Sequence, residues 1–315
     1  MILTVTPNPS LDRTYEVPSL GRGEVLRATG DRVDPGGKGV NVSRAVAAAG
    51  VPTTAVLPLG GAPGVLLAEL LGAQGVDVTV VSIAGQTRSN ISLAEPDGTL
   101  TKINAPGPEL SPAESALLLE TVRGSSGGAS WIACCGSLPR GLAPRWYADL
   151  VAGAHEQGTR IALDTSGPAL LAALPARPDV IKPNASELAA AVGRPLATLG
   201  DVAEAAQELR ARGAGAVLAS LGADGQLLVT AEGTYHGTAP VPADRVRSNV
   251  GAGDAALAGF LVAGGTGPAA LAAALAHGAA AVRLPGSAMP TPADLTPDAV
   301  RVTQDPPLDL PLSPG

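Results

Sequence analysis

Asp254 closes the run Gly251-Ala252-Gly253-Asp254, immediately before Ala255-Ala256-Leu257-Ala258-Gly259-Phe260-Leu261-Val262. The apolar stretch reads as an Ala/Leu-rich helix, which puts two glycines and an alanine at its mouth. The first N–H groups of a helix have no intrahelical partner, and with the positive end of the helix dipole they attract an anion. A carboxylate there is either an ordinary first-turn acid or a proton acceptor set beside the anion. On the second reading, the Gly251, Ala252 and Gly253 amides stabilise a transferring phosphoryl group while Asp254 takes a proton from the attacking hydroxyl. The helix mouth is expected to favour the ionised carboxylate.

Other polar clusters follow short apolar runs. Pro7-Asn8-Pro9-Ser10-Leu11-Asp12 comes after the first of them, where Asp12 could accept hydrogen bonds from sugar hydroxyls. Asp34-Pro35-Gly36-Gly37-Lys38-Gly39-Val40-Asn41 is a glycine-rich turn feeding a helix, but it lacks the Walker A spacing. Its glycines Gly36, Gly37 and Gly39 leave room for a polyol against the backbone, Lys38 suits an anionic group and Asn41 suits hydroxyls. Gln86-Thr87-Arg88-Ser89-Asn90 supplies an arginine able to fork onto a phosphate. Gly136-Ser137-Leu138-Pro139 and Ser220-Leu221-Gly222-Ala223-Asp224-Gly225 are further turns after strand-like runs, the latter suited to a nucleotide. Lys182-Pro183-Asn184-Ala185-Ser186-Glu187 sets Asn184 and Glu187 three apart at a helix start. That pair reads either as an organiser of Mg²⁺ near phosphates or as an N-cap with its capping-box acid. Only three of the 21 basic residues are lysines, Lys38, Lys102 and Lys182, and two of them fall in these motifs.

Positioning such clusters requires strands alternating with helices. Strand-like runs at Ile2–Thr6, Thr54–Leu59, Val76–Ile83, Trp131–Cys135, Arg160–Asp164, Val180–Lys182 and Ala216–Ser220 alternate with helical patterns. The helices are expected at Gly39–Ala49, Gly64–Leu71, Pro112–Val122, Arg145–Glu156, Ser186–Val192 and Asp201–Arg212. The alternation predicts an α/β fold with a mostly parallel sheet covered on both faces and ligands at the carboxyl ends of its strands. Arg13–Val33 and Thr87–Asn104, the latter turning at Pro96-Asp97-Gly98, break the pattern as β-rich excursions and predict a small separate sheet. The expected division is a core of 1–11, 35–86 and 105–305, a β lid of 12–34 and 87–104, and a flexible proline-rich tail of 306–315.

The 315 residues are 45% apolar and 16% charged, enough for a large buried core. A formal charge of −7 without any basic run argues against a nucleic-acid or membrane-surface partner. The chain opens on a strand-like run, so no leader is expected, and no uninterrupted apolar stretch reaches bilayer-spanning length. Cys134 and Cys135, adjacent in an apolar run, read as buried reduced thiols and point to a cytoplasmic protein.

Taken together, Gly36-Gly37-Lys38-Gly39-Val40-Asn41 and Val250-Gly251-Ala252-Gly253-Asp254 resemble the two signature regions of the PfkB (ribokinase-like) carbohydrate kinases. The resemblance covers roughly residues 1–290. Thr6 to Asp12, Lys38, Thr87 to Asn90, Ile103 to Pro108 and Lys182 to Asn184 are similar to the phosphosugar branch of that family. The fold so implied is a three-layer α/β/α sandwich with a small β-sheet lid. The implied activity is transfer of the γ-phosphate of MgATP to fructose 1-phosphate. Tagatose 6-phosphate and fructose 6-phosphate are alternative acceptors, and a sugar-phosphate-binding regulator without catalysis is the alternative of a different class.

By the same resemblance, Asp254 is the base, and Gly251, Ala252 and Gly253 hold the transferring group. Asp12, Gly36, Gly37, Lys38, Asn41, Arg88, Asn90 and Ser137 hold the sugar or its phosphate, joined by Arg27 across a dimer formed through the lid. Lys182, Asn184, Ser220, Gly222, Ala223, Gly225, Gly253 and His277 bind ATP, and Asn184 with Glu187 organises Mg²⁺. Many relatives have an acidic or threonine-bearing lead into the second signature, where this chain has Arg247-Ser248-Asn249. That departure leaves a monovalent-cation site open.

Overall fold

The computed structural model describes residues 1–313. The chain starts with β1 (Ile2–Val5), then β2 (Ser10–Glu16) and β3 (Gly30–Gly36), before α1 (Lys38–Ala48), β4 (Thr53–Leu59), α2 (Gly61–Gly72) and β5 (Asp77–Ser82). The hairpin β6 (Arg88–Ala94) and β7 (Leu100–Ile103) follows. Next come α3 (Pro112–Ser125), β8 (Trp131–Cys135), α4 (Trp146–Glu156), β9 (Arg160–Asp164), α5 (Gly167–Ala173) and β10 (Val180–Ile181). The remaining elements are α6 (Ala185–Val192), α7 (Leu199–Ala211), β11 (Ala216–Ser220), β12 (Gln226–Val229), β13 (Thr234–Thr238), α8 (Ala252–Val262), α9 (Gly267–Ala281) and β14 (Arg301–Gln304).

Ten strands form one sheet in the order β14-β13-β12-β11-β10-β9-β8-β1-β4-β5. From β5 through β11 neighbouring strands pair in parallel, and β12, β13 and β14 extend the sheet in antiparallel fashion. Its central strands are buried on both faces, which is why they read as continuous apolar runs rather than alternating ones. Leu3, Val5, Ile132, Cys134, Ile161 and Leu163 point into the layer formed by α3 to α7. Ile2, Trp131, Ala133 and Ala162 point the other way, towards α1, α8 and α9. Small side chains let α8 and α9 lie close together. A Cβ on Gly259 would come within 2.7 Å of the Ala273 carbonyl.

The two β-rich excursions do form a separate sheet, of four strands in the order β3-β2-β6-β7. Here β2 and β6 run parallel, joining one β-rich segment to the other. The antiparallel edge β12–β14 and the helices α5 and α9 were not expected from sequence. The tail is also ordered differently from expectation. Leu308 and Leu310 accept backbone hydrogen bonds from Gly200 and Leu199 at the start of α7, and Leu312 donates to Ala197. Ser313 then bonds the Asp224 carboxylate. Open backbone groups at the first turn of α7 find partners in the tail, which therefore lies on the core through residue 313. Residues 314 and 315 of the expected flexible segment lie outside the described residues. Among the described residues no helix is long and apolar enough to cross a membrane.

Candidate active site

The carboxyl ends of β1, β8, β9, β10 and β11 and the mouths of α1, α6 and α8 meet along one edge of the large sheet. Helix α8 begins at Gly251, whose left-handed backbone (φ 78°) a residue with a Cβ rarely adopts. No side chain caps the helix, so its first N–H groups remain open at the mouth. Asp254 occupies the third helical position yet does not turn back to cap. It is 8% exposed, and its Oδ2 accepts a 2.9 Å hydrogen bond from Asn41 Nδ2 on α1.

Asp164, at the end of β9, is the residue that organises the surrounding charge. It points to the α1/α8 side of the sheet, where Lys38 Nζ donates to Oδ1 at 2.6 Å and Lys182 Nζ lies 2.8 Å from Oδ2. Lys38 also lies 3.4 Å from Glu187 Oε1. Lys182 reaches the α8 mouth, since a Cβ on Gly253 would stand 3.3 Å from its Nζ. Burial alone would raise the Asp164 carboxyl, but Lys182 and Lys38 outweigh it and hold the group below its ordinary value. Burial likewise opposes the charge on Lys38 and Lys182, yet Asp164 keeps both above the ordinary lysine value.

Asp254 goes the other way. Burial, then the neighbouring Asp164 carboxylate, pushes it up to about 6 against the Asn41 hydrogen bond and the two lysines. The sequence predicted that the helix mouth would favour the ionised form; burial and the second carboxylate act in the opposite direction. The result is a carboxylate that is ionised near neutrality and more basic than a surface aspartate, as a proton acceptor requires.

The glycine-rich turn before α1 has an internal reason for its composition. A Cβ on Gly36 would meet Asp12 Oδ2 at 2.3 Å, and one on Gly39 would meet Thr6 Oγ1 at 2.4 Å. Gly37 caps α1 with φ 117° and lies against Thr6 and Pro9. The space left by these hydrogens is filled first by the chain itself. Asp12 is held by Ser10 Oγ (2.8 Å) and Asn90 Nδ2 (2.9 Å) at the base of the smaller sheet. Arg88 does not fork into open space. Its Nη1 and Nη2 donate to the carbonyls of Ala105 (2.7 Å) and Asn8 (2.9 Å), while its buried Nε has no partner in the chain. Ser137 is exposed at the end of β8, with Asn8 Nδ2 at 3.5 Å.

Asn184 and Glu187 form a complete capping box on α6. Glu187 N donates to Asn184 Oδ1 at 2.8 Å, and Asn184 N donates to Glu187 Oε2 at 2.9 Å. The capping-box reading of the pair is thus the one the geometry shows, and Glu187 Oε1, outside the box, faces Lys38. The turn from Ser220 to Gly225 lies alongside, with Ser220 N bonded to the Pro183 carbonyl at 3.0 Å. Gly222, Ala223 and Gly225 lie in that turn, beside Lys182 and Asn184.

Two expected residues are placed elsewhere. His277 is buried between α8 and α9, where its Nδ1 pairs with the Ala273 carbonyl at 2.8 Å and its ring packs on Gly259, well inside α8. Arg27 is exposed in the connection between β2 and β3 and makes no hydrogen bond or ion pair among the described residues. The residue that sequence reasoning missed is Asp164. Its signal was available, since a strand-end aspartate is the natural counter-ion for two of only three lysines.

Oxygen donors dominate this edge. Among the described residues no group of three or more histidines, cysteines or acids could hold a metal ion alone. Asp164 is fully buried with its two oxygens on Lys38 and Lys182, so Asn184 and Glu187 at the mouth of α6 are the oxygen donors that suit an Mg²⁺ bringing most of its ligands as water and phosphate.

Comparison with known proteins gives the same picture. The pfkB family carbohydrate kinase family matches residues 8–294. The 1-phosphofructokinase of Rhodobacter capsulatus is 42% identical over 265 residues, 82% of each chain. The ATP-dependent 6-phosphofructokinase isozyme 2 of Mycobacterium tuberculosis is 38% identical over 83% of this chain and 77% of its own. Among solved structures, phosphofructokinase-2 from Escherichia coli in complex with potassium superimposes with a TM-score of 0.87 at 35% identity, covering 93% of this chain and 96% of the other. The match spans both helix mouths, the strand ends between them and most of the smaller sheet, and so this chain belongs to the pfkB family of carbohydrate kinases.

Proposed function

We propose that the protein is a 1-phosphofructokinase, transferring the γ-phosphoryl group of MgATP to the free primary hydroxyl of fructose 1-phosphate to give fructose 1,6-bisphosphate. The observation that carries the mechanism is Asp254, a buried carboxylate at an uncapped helix mouth whose pKa is pushed up to about 6. The acceptor sugar is argued from the similarity to 1-phosphofructokinases over most of the chain.

The hydroxyl oxygen attacks the γ-phosphorus in line with the β–γ bridging oxygen. A new O–P bond forms, the old P–O bond breaks and ADP leaves with the electron pair. Asp254 accepts the hydroxyl proton as its acidity rises with bond formation. The open amides of Ala252 and Gly253 at the α8 mouth, with Gly251 shaping the turn, face the charge on the transferring group. Lys182, adjacent to Gly253, and Lys38 add fixed positive charge there. Mg²⁺ bound with the nucleotide would supply neutralisation of phosphate charge, and Asn184 and Glu187, at the mouth of α6, are the residues that would hold it.

Asp12, Gly36, Gly37, Asn41, Asn90 and Ser137 line the sugar side. Arg88 acts there by fixing the loops of Asn8 and Ala105. Lys182, Asn184, Ser220, Gly222, Ala223 and Gly225 take the nucleotide. His277 acts at a distance, by packing α9 against α8. A monovalent cation near Arg247-Ser248-Asn249 is a natural companion for ATP, given the potassium complex of the phosphofructokinase-2 relative.

The smaller sheet is read as a lid over the sugar and, through its outer surface, as a dimer face. Leu20, Val25, Leu100 and Ile103 are exposed on its strands and connections. Arg27 would then serve the second copy's site. Sedimentation as a dimer is the expected outcome, and a monomer removes Arg27 from the site. Two buried free thiols, Cys134 and Cys135, fit a cytoplasmic location.

ADP release with MgATP and, in parallel, fructose 1-phosphate, fructose 6-phosphate, tagatose 6-phosphate and fructose tests the assignment. The expected kcat/KM for fructose 1-phosphate is at least about 100-fold above the others, a discrimination within reach of a site built to bond a substrate group. Preference for fructose 6-phosphate would move the assignment to the isozyme 2 type represented by the Mycobacterium tuberculosis relative. No turnover with any sugar would favour a binding protein.

A further inference from the structure

Arg44 sits one helical turn after Asn41 on α1, and only 7% of its surface is exposed. A buried cation is costly unless hydrogen bonds satisfy it. Arg44 Nε donates to Gln74 Oε1 at 2.7 Å, and Nη1 donates to Asn41 Oδ1 at 3.1 Å. The same Nη1 lies 3.3 Å from Ser287 Oγ and 3.5 Å from the Pro35 carbonyl. No carboxylate pairs with it among the described residues. Evidently the guanidinium is not there to close an ion pair.

Its position next to Asn41 gives it a specific effect. The two ends of an asparagine amide have nearly the same shape and differ in which one donates. A guanidinium has only donors, so the end of Asn41 facing Arg44 must be the carbonyl oxygen. An ionised Asp254 has only acceptors, so the end facing it must be the NH2 group. A single orientation satisfies both partners. The reversed amide would set N–H against N–H on one side and oxygen against oxygen on the other.

We propose that Arg44 is a positioning residue for phosphoryl transfer: it locks the Asn41 amide so that its N–H stays on Asp254 Oδ2, leaving the other carboxylate oxygen for the acceptor hydroxyl. The proposal rests on the reading of Asp254 as proton acceptor. It also gives Arg44 contact with both segments that frame the site. Pro35 belongs to β3 of the smaller sheet, and Ser287 lies in the turn after α9. Two residues on, Met289 packs on the α8 mouth, with its Cε 2.9 Å from where a Cβ on Gly251 would stand. One buried side chain thus joins the base of the lid, the amide beside the base and the segment backing the phosphate loop.

The charged and titratable groups facing Asp254 are Asp164 from β9, Lys182 after β10, Lys38 from α1 and the buried Cys135 thiol of β8. None of these is a hydrogen-bond partner of Arg44, whose own charged neighbours are Asp34, Asp12 and Arg32. The bonded contact that joins Arg44 to Asp254 is Asn41.

The test uses the full chain with Arg44→Met, Asn41→Ala and the double substitution, measuring kcat from pH 5 to 8 and KM for both substrates. Losing a hydrogen bond to the charged form raises the pKa of a carboxylate. In Arg44→Met the acid limb of kcat is expected to move up by about half a pH unit, with kcat at its plateau down by about tenfold and KM within about twofold. Asn41→Ala should move the limb the same way, and the double variant no further than Asn41→Ala alone. Gln74→Leu, which removes a different bond of Arg44, should lower stability and leave the limb in place.

An unmoved limb in Arg44→Met, or a double variant that adds both shifts, overturns the proposal. Should Arg44→Met not fold, Arg44→Lys is read by the same criterion, because a flexible point donor cannot hold the amide as a planar fork does. Failure of the underlying reading shows separately, as undiminished turnover in Asp254→Asn.

Discussion

Helices α6 and α8 open on the same edge of the sheet, and each carries an acid at its third position. In α6, Asn184 and Glu187 satisfy each other's backbone amides, so one carboxylate oxygen completes a capping box. The same arrangement recurs at Ser111 and Glu114 of α3 and at Thr198 and Asp201 of α7. In α8 the capping residue is Gly251, with no side chain to bond the first turn, and Asp254 turns inward to Asn41 instead. An acid in a first helical turn is a stability device when a capping side chain answers it. It becomes a chemical group when the cap is missing and burial takes the carboxylate away from water. The difference lies in the partner at the capping position, which is visible in sequence, and in burial, which is not.

Substitutions at the two kinds of mouth should separate activity from stability. Asp254→Asn is expected to lower kcat by about 10³-fold, the range of a lost general base, while substrate binding is retained. Its stability at pH 7 should be equal to or above that of the parent. The native pKa of Asp254 is raised above the ordinary 3.8, so its contribution is full at low pH and is lost as pH rises towards about 6. Denaturation by urea at pH 4 and pH 7 checks that sign.

Asp164→Asn strikes both properties, because Lys182 is left buried without its counter-ion. A loss of about 3 kcal/mol or more is expected from breaking such a buried pair, read from the urea midpoint. Asn184→Ala removes the α6 cap and should cost about 1 kcal/mol of stability. A several-fold rise in KM for MgATP should accompany it, since the Glu187 carboxylate loses its anchor. The smallest effect is expected from Ser111→Ala, which should also cost about 1 kcal/mol but leave kcat and both KM values unchanged. If Ser111→Ala disturbed turnover as Asp254→Asn does, the contrast between capped and uncapped acids would collapse.

The parallel half of the large sheet was legible because its strands are buried on both faces. Trp131–Cys135, Arg160–Asp164 and Ala216–Ser220 are apolar runs with sharp ends, and they fall where the sequence placed them. The hairpin turning at Pro96-Asp97-Gly98 was equally plain. The antiparallel edge was not, because Thr234–Thr238 and Arg301–Gln304 are short and polar and become strands only by pairing with β12 and each other. Helix α9 escaped notice because its Ala and Gly residues carry no amphipathic period, its fit to α8 being a matter of close approach.

At the site, residue types pointed to Asp254, Lys38 and Asn41, but not to what holds them. The Lys38–Asp164 pair joins residues 126 positions apart, and no local spacing encodes it. Nor could sequence tell that Gly36 and Gly39 first make room for Asp12 and Thr6 of the same chain.

The most direct test of the account is the pH dependence of kcat/KM for fructose 1-phosphate with the unsubstituted protein, which reports the groups of the free enzyme. Asp254 as a buried proton acceptor predicts a plateau above neutrality and an acid limb centred near pH 6, falling about tenfold per unit below it. A kcat/KM that stays level down to pH 5 would contradict it, because the proton acceptor would then not be a carboxylate with a raised pKa.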